Sequence, residues 1–204
     1  MLVPGLLSLM MAGCLVHPAA VYCTACRWGL KMGIDKSAVK QSFFYLKKLI
    51  LIKIYTDGSS KGNPGPGGYG TILQYQGHSR ELAAGFGLTT NNRMELLAVI
   101  AGLEALKKKG QQVVVYSDSK YVVDAVRKGW LVAWLKKDFK KKKNADLWRR
   151  FWRVYQRHQV TFCWLKGHAG HPENERCDVL ATQSAQQKGL AVDQGYLDSV
   201  KAGT

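Results

Sequence analysis

Apolar and polar positions are arranged differently before and after Leu49. Met1 to about Tyr45 begins apolar, turns mixed, and keeps neither a strand nor a helix period. From Leu49 the pattern sharpens. Leu49–Thr56 is a β-rich run that stops at Asp57-Gly58-Ser59 and the stretch Gly62-Asn63-Pro64-Gly65-Pro66-Gly67-Gly68, which predicts a strand and then a turn. Tyr69–Tyr75 and Arg80–Leu88, parted by a turn around Gly77, predict two more strands in an antiparallel meander.

Helical spacing follows. Thr89-Thr90-Asn91-Asn92 offers capping side chains before a helix whose Met94, Leu97, Ala98, Ala101 and Ala105 share one face, with Glu95 in its first turn. Val113–Tyr116 reads as a buried strand ending at Ser117-Asp118-Ser119, where Ser119 caps a short helix carrying Val122, Val123 and Val126. Trp130–Trp134 leads into the run Lys136-Lys137-Asp138-Phe139-Lys140-Lys141-Lys142-Lys143, and Asp146–Gln156 resumes a helical period through Leu147, Phe151 and Val154. Val160–Leu165 reads as a strand, Lys166–His171 as a loop, and Pro172–Lys188 as a helix opened by its proline. The order is βββαβα, a basic helical insert, then αβα, an α/β chain.

Composition narrows the partners. A chain of 204 residues, 47% of them apolar, can bury one good core, and its formal charge of +16 attracts polyanions by long-range field and counterion release. Nucleic acid is therefore the first partner to consider. The opening Leu2–Val16 run is too short to span a bilayer, and the first basic residue is Arg27, so the cationic region of a secretion signal is missing. Met11-Ala12-Gly13-Cys14 only faintly resembles a lipoprotein cleavage site, and a mis-assigned start explains the stretch better. Five cysteines are scattered without the spacing of a disulfide framework; Cys23 and Cys26, with His17 near, make at most half of a zinc site. A cytoplasmic, monomeric protein with no membrane partner is expected, residues 1–48 being an uncharacterised extension and 49–204 the functional domain.

The carboxylates supply the chemistry. Asp57 and Asp118 follow strands whose carboxyl ends share one sheet edge, the edge at which open α/β sheets bind ligands. Glu95, early in its helix, and Asp178, one turn into the last helix, reach the same edge if those helices pack on the sheet. Such a cluster repels itself unless hard divalent cations with oxygen ligands relieve it. Magnesium is the expected ion, with manganese a substitute, and a metal pair there would support phosphodiester hydrolysis. Each acid taken singly also suits an ordinary turn or helix start; their joint placement is what points to a site.

These segments resemble a known family. Asp57-Gly58-Ser59 with Gly62 to Gly70, Thr90-Asn91-Asn92-Arg93-Met94-Glu95-Leu96, Ser117-Asp118-Ser119 and Gly167-His168-Ala169-Gly170-His171-Pro172-Glu173-Asn174-Glu175-Arg176-Cys177-Asp178 together closely resemble bacterial ribonuclease HI, from about Leu51 onward. The resemblance implies the ribonuclease H-like fold, a five-stranded mixed sheet flanked by helices, with a basic protrusion over about 130–146 and a C-terminal tail over about 190–204. It implies an endonuclease that cuts the RNA strand of an RNA/DNA hybrid with two metal ions, leaving 5'-phosphate and 3'-hydroxyl ends. Asp57, Glu95, Asp118 and Asp178 match the family's metal carboxylates, and His168 its loop histidine, suited to proton handling near neutral pH.

By the same resemblance Asn63, Asn91 and Asn92 contact the nucleic acid and Thr90 holds a phosphate of the DNA strand. Lys136, Lys137, Lys140 and Lys141 meet phosphates, with Trp134 among the aromatics of that basic segment. Lys120 stands where many bacterial relatives carry glutamine, which alters a contact to the RNA strand. A hybrid-binding module without catalysis would normally lack one of the carboxylates, and all are present. Integrases and resolvases share the architecture but lack the glycine/proline turn and the His168 loop together.

Overall fold

The computed structural model of the chain describes residues 51–167 and 169–203. These fall within one compact unit, Leu49–Thr204. The expectations for residues 1–48 and for His168 lie outside the described residues.

Strands β1 (Ile52–Ser60), β2 (Gly65–Tyr75), β3 (His78–Thr89), β4 (Gln112–Ser117) and β5 (Gln159–Trp164) form a single sheet in the order β3-β2-β1-β4-β5. β1, β2 and β3 are the antiparallel meander; β4 joins β1 in parallel and β5 joins β4 in parallel. The mixed five-stranded sheet is thus as expected. Two details differ from expectation. β1 does not stop at Thr56: its parallel pairing with β4 ends at Thr56 opposite Ser117, but its antiparallel pairing with β2 runs on to Ser60 opposite Gly67. Asp57 therefore lies inside a strand, at the point where one ladder has ended and the other continues.

The second difference concerns Gly65–Gly68, which are the start of β2 and not a turn. Their glycines serve packing. A methyl group on Gly68 would strike Ser184 and Ala181, one on Gly70 would strike the Cys177 carbonyl, and one on Gly85 the Ser184 carbonyl. All of those residues belong to or adjoin one helix, which lies directly on the backbone of β2 and β3.

Six helices complete the described residues: α1 (Asn91–Glu104), α2 (Lys120–Arg127), α3 (Trp130–Leu135), α4 (Ala145–Tyr155), α5 (Pro172–Ser184) and α6 (Gln194–Lys201). Pro172 opens α5 as expected, though the helix ends at Ser184 and not Lys188. α1 does not have one apolar face; it is buried continuously from Arg93 to Ile100, because it packs on β1 and β2 and also on α4. Thr71 on β2 donates its hydroxyl to the Ala98 carbonyl at 2.8 Å. Ile54, Met94, Ile100, Val115, Phe151 and Phe162 are central to the core so formed. Neither Thr90 nor Ser119 makes a side-chain cap bond; Thr89 donates its hydroxyl to Asp193 at 2.7 Å instead.

That contact shows that the segment after residue 190 is not a loose tail. Ala191 exchanges main-chain hydrogen bonds with Gly85 and Gly87 at 3.0 Å each. Asp193 accepts two bonds from the Arg93 guanidinium, both at 2.7 Å, and caps α6 by accepting from the Tyr196 amide. Arg93, only 1% exposed, also grips Asp146 with two bonds, at 2.9 and 2.7 Å. A buried cation is tolerable when several hydrogen-bonded anions surround it, and here two carboxylates do.

Between α3 and α4 the lysine-rich segment is anchored, not a free charge run. Phe139 is 2% exposed, and its amide donates to the Trp134 carbonyl at 2.9 Å. Asp138, Phe139, Lys141 and Asn144 all have positive φ, between 45° and 59°, so burial of Phe139 bends the chain sharply and leaves the lysines pointing outward. Beneath it Trp134 meets Trp148 edge-on at 5.3 Å, and the Trp148 indole donates to the Tyr121 hydroxyl at 2.8 Å.

Candidate active site

The edge at which the parallel ladders end gathers the acids from different layers. Side chains alternate along β1. Asp57, opposite Gly70, faces α5; Gly58, its neighbour, faces α1. Because Gly58 has no side chain, the N-terminus of α1 comes down onto the strand and brings Glu95 beside Asp57. Asp118 follows the last residue of β4. Oxygens of Asp57, Glu95 and Asp118 lie within 4.8 Å of one another, a grouping able to hold a metal ion.

Asp178 stands outside that group of three but not outside its field. α5 presents Asn174 and Asp178, four residues apart and so on one side of the helix, towards the same edge. Asn174, 4% exposed, donates from Nδ2 to Asp118 Oδ2 at 3.4 Å. Asp178 accepts from Thr182 at 3.4 Å, and its charge helps to raise the Asp57 carboxyl.

The electrostatics are those of crowded acids. Burial, then Asp118, then Asp178 push the Asp57 carboxyl up to about 7, against a hydrogen bond from the Gly58 amide at 2.7 Å. Glu95 is raised well above the ordinary carboxylate range, first by burial and then by Asp57 and Asp118. Buried Glu95 Oε2, Asp118 Oδ1 and Asn174 Oδ1 have no hydrogen-bond partner. Lone pairs buried without donors are costly, and an oxygen-only set of this kind suits a hard divalent cation. The residues present therefore fit such an ion.

Several of the expected nucleic-acid contacts line one cleft. Asn63, Thr90 and Asn92 line a cleft of about 590 Å³ together with Lys142, Lys143 and Asn144, bounded by Asp146 and the α6 residues Tyr196 and Ser199. Asn63 Oδ1 accepts from the Asn91 amide at 3.3 Å, which ties the loop before β2 to the start of α1. Lys136, Lys137, Lys140 and Lys141 are exposed on the neighbouring protrusion, and Lys120 is exposed beside Asp118. Trp134 is half-buried, with the Lys142 ammonium 4.9 Å from its ring centre. Sequence reasoning gives no separate role to Asn174 or Asn144, and it takes Lys142 and Lys143 only together with Lys140 and Lys141. The lysines are visible as part of the run, but nothing in the sequence sets them apart from Lys140 and Lys141.

The family model described as RNase H matches residues 51–186. The chain belongs to the ribonuclease H family. It is 54% identical to the ribonuclease H of Desulforamulus reducens over 147 residues, covering 70% of this chain and 92% of that protein. It is 55% identical to that of Lachnoclostridium phytofermentans over 153 residues, covering 70% and 96%. Among solved structures it is similar to LC9-RNase H1, described as a type 1 RNase H with the type 2 active-site motif, at 34% identity and a TM-score of 0.61, over 72% of this chain and 79% of that one. It is similar also to LC11-RNase H1 in complex with an RNA/DNA hybrid, at 26% identity and a TM-score of 0.52, over 66% and 96%. Family membership and the sheet order agree with the fold expected from the motifs. Among the described residues no helix is long and apolar enough to cross a membrane.

Proposed function

We propose that this ribonuclease H family member is an endonuclease that hydrolyses the RNA strand of RNA/DNA hybrids, leaving 5'-phosphate and 3'-hydroxyl ends. The observation that carries the reading is the group of Asp57, Glu95 and Asp118, within 4.8 Å of one another and holding buried oxygens without partners. Asp57, Glu95, Asp118 and Asp178 provide the oxygen ligands, with Mg²⁺ the working ion and Mn²⁺ a substitute. Divalent ions held by these carboxylates would supply activation of the attacking water and charge stabilisation for the departing oxygen. Asn174 steadies the Asp118 carboxylate. His168 carries a proton on the leaving side, a task matched to its near-neutral ordinary pKa.

Substrate is held by two regions. Asn63, Asn91, Asn92 and Thr90 approach the hybrid beside the catalytic edge, where the 2'-hydroxyl distinguishes RNA from DNA. Lys136, Lys137 and Lys140 to Lys143, on a segment anchored by Phe139 and supported by Trp134, meet phosphates without reading sequence. The functional domain is residues 49–204, and the protein acts as a cytoplasmic monomer.

Labelled RNA/DNA, RNA/RNA and DNA/DNA duplexes, and DNA with a single ribonucleotide, incubated with and without Mg²⁺, test the reading. Metal-dependent cutting confined to the RNA strand of the hybrid is expected. Binding without cutting would favour an inactive hybrid-binding module, and cutting of DNA would overturn the substrate assignment.

A further inference from the structure

The main-chain carbonyl of Asp118 falls between two hydrogen-bonding systems. The parallel ladders of β4 end at Ser117, whose carbonyl accepts from the Leu165 amide at 3.0 Å. The main-chain bonding of α2 starts one residue beyond Asp118, with the Val123 amide donating to the Ser119 carbonyl at 3.0 Å. The Ser119 amide of the same peptide donates to Ser117 Oγ at 3.2 Å, so the carbonyl is the end of this peptide that neither the sheet nor the helix holds.

A side chain fills the gap. Trp164, the last residue of β5 and the register partner of Ser117, donates its indole N–H to the Asp118 carbonyl at 3.0 Å. Trp164 is 39% exposed. Its face is also occupied: the Lys120 ammonium lies 5.3 Å from the ring centre, within the range of a cation–π contact. Lys120 is two residues from Asp118 and is the first residue of α2.

We propose that Trp164 is a positioning residue for cleavage: its edge fixes the peptide that bears the Asp118 carboxylate, and its face holds the Lys120 cation beside the site, directed to a phosphate of the hybrid. The proposal rests on the hydrolytic reading above and adds to it a residue outside the four acids and His168. Two separable effects follow from one ring. Loss of the N–H disturbs the metal-binding carboxylate, and loss of the ring face releases the lysine.

Trp164→Phe keeps the face and removes the donor. It is expected to lower kcat about tenfold, the scale of one well-placed hydrogen bond, to raise the Mg²⁺ concentration needed for half-maximal rate, and to leave KM and hybrid affinity in EDTA unchanged. Trp164→Leu is expected also to reduce the salt slope of hybrid binding in EDTA by about 0.9, the share of one phosphate. Lys120→Gln should give that same reduction, and the double variant Trp164→Leu/Lys120→Gln no further reduction. Trp164→Phe with kcat within about twofold of the unsubstituted protein would overturn the proposal. Hydrogen exchange of the Trp164 indole proton, read by NMR in the unsubstituted protein, guards against a variant that fails to fold. Protection of the proton is expected, and exchange as fast as in free tryptophan would also overturn the proposal. An unsubstituted protein that cuts no hybrid would overturn the hydrolytic reading itself, whereas cutting that Trp164→Phe leaves intact removes only the role of Trp164.

Discussion

Gly58 lies so close to Glu95 that a methyl group on it would strike the Glu95 amide nitrogen and the Met94 carbonyl carbon. The contact joins strand to helix through backbone alone, and it decides how far Glu95 reaches over the sheet edge. Gly58→Ala should lift the start of α1. The expected cost is about 1–3 kcal/mol of stability, the range for overpacking a tight contact, with a fall in activity larger than the folded fraction explains. Denaturant unfolding and hybrid cleavage on the same preparation check it.

Asp57→Asn should leave the fold intact and abolish cleavage, with kcat down on the order of a thousandfold or more, since an electrostatic group aimed at the reacting centre is removed. The metal-free variant should melt no lower than the parent, because the amide replaces a carboxylate whose ionised form is opposed by burial and by Asp118. Retained Mg²⁺-dependent cutting would refute the assignment of Asp57.

The raised Asp57 carboxyl has a consequence for stability against pH. Folded, it titrates near 7; its ordinary value is 3.8. Between those values the folded protein holds a proton that the unfolded chain has released, so metal-free stability falls as pH rises through this window and is lowest above it. Glu95, also raised, acts in the same direction. Urea unfolding in EDTA should give a lower midpoint at pH 8 than at pH 5. Added Mg²⁺ should reverse the order, since its ligands must be ionised, and Asp57→Asn should flatten the slope.

Replacing Lys140, Lys141, Lys142 and Lys143 with serine should weaken hybrid binding most at low salt, lowering the salt slope by about 0.9 for each phosphate that a lysine no longer neutralises. Because Phe139 anchors the segment, melting should change little. Fluorescence anisotropy over a salt series measures the slope, and an unchanged slope would return these lysines to a merely solvated face.

Asp193→Ala removes one of the two carboxylates around a guanidinium that is 1% exposed. Breaking a buried pair from one side is expected to cost about 3–5 kcal/mol. Thermal melting reads the loss. A fall in Mg²⁺-dependent activity at low temperature, where the variant is still folded, would show that the tie also steadies Glu95, two residues from Arg93.

Much of the fold and of the site is legible in the sequence because the acids occupy punctuated places. Asp118 follows a strand, Asp178 lies nearly two turns into a helix opened by Pro172, and the strand and helix periods around them are clear. What escapes is long-range pairing. Asp57 reads as the residue that follows a β-rich run, and only the unequal lengths of the two ladders put it inside the strand. α1 reads as one-sided because its second contact, with α4, is made by a helix about 50 residues further along the chain and leaves no local mark. Arg93 and Asp193 are 100 residues apart, and nothing local marks either as a buried partner, so the segment beyond residue 190 looks like a tail. Asn174 sits in a polar stretch that reads as an ordinary helix start.

Gly68, Gly70 and Gly85 bring α5 down until it rests on main chain. The height of that helix above the sheet is thereby a quantity of the backbone, insensitive to rotamers and to the repacking that side chains permit. Asp178 and Asn174 inherit that precision. The distance between acids contributed by a strand and by a helix is in effect gauged by atoms that are missing, and a single carbon added at any of the three positions would reset it for both residues at once.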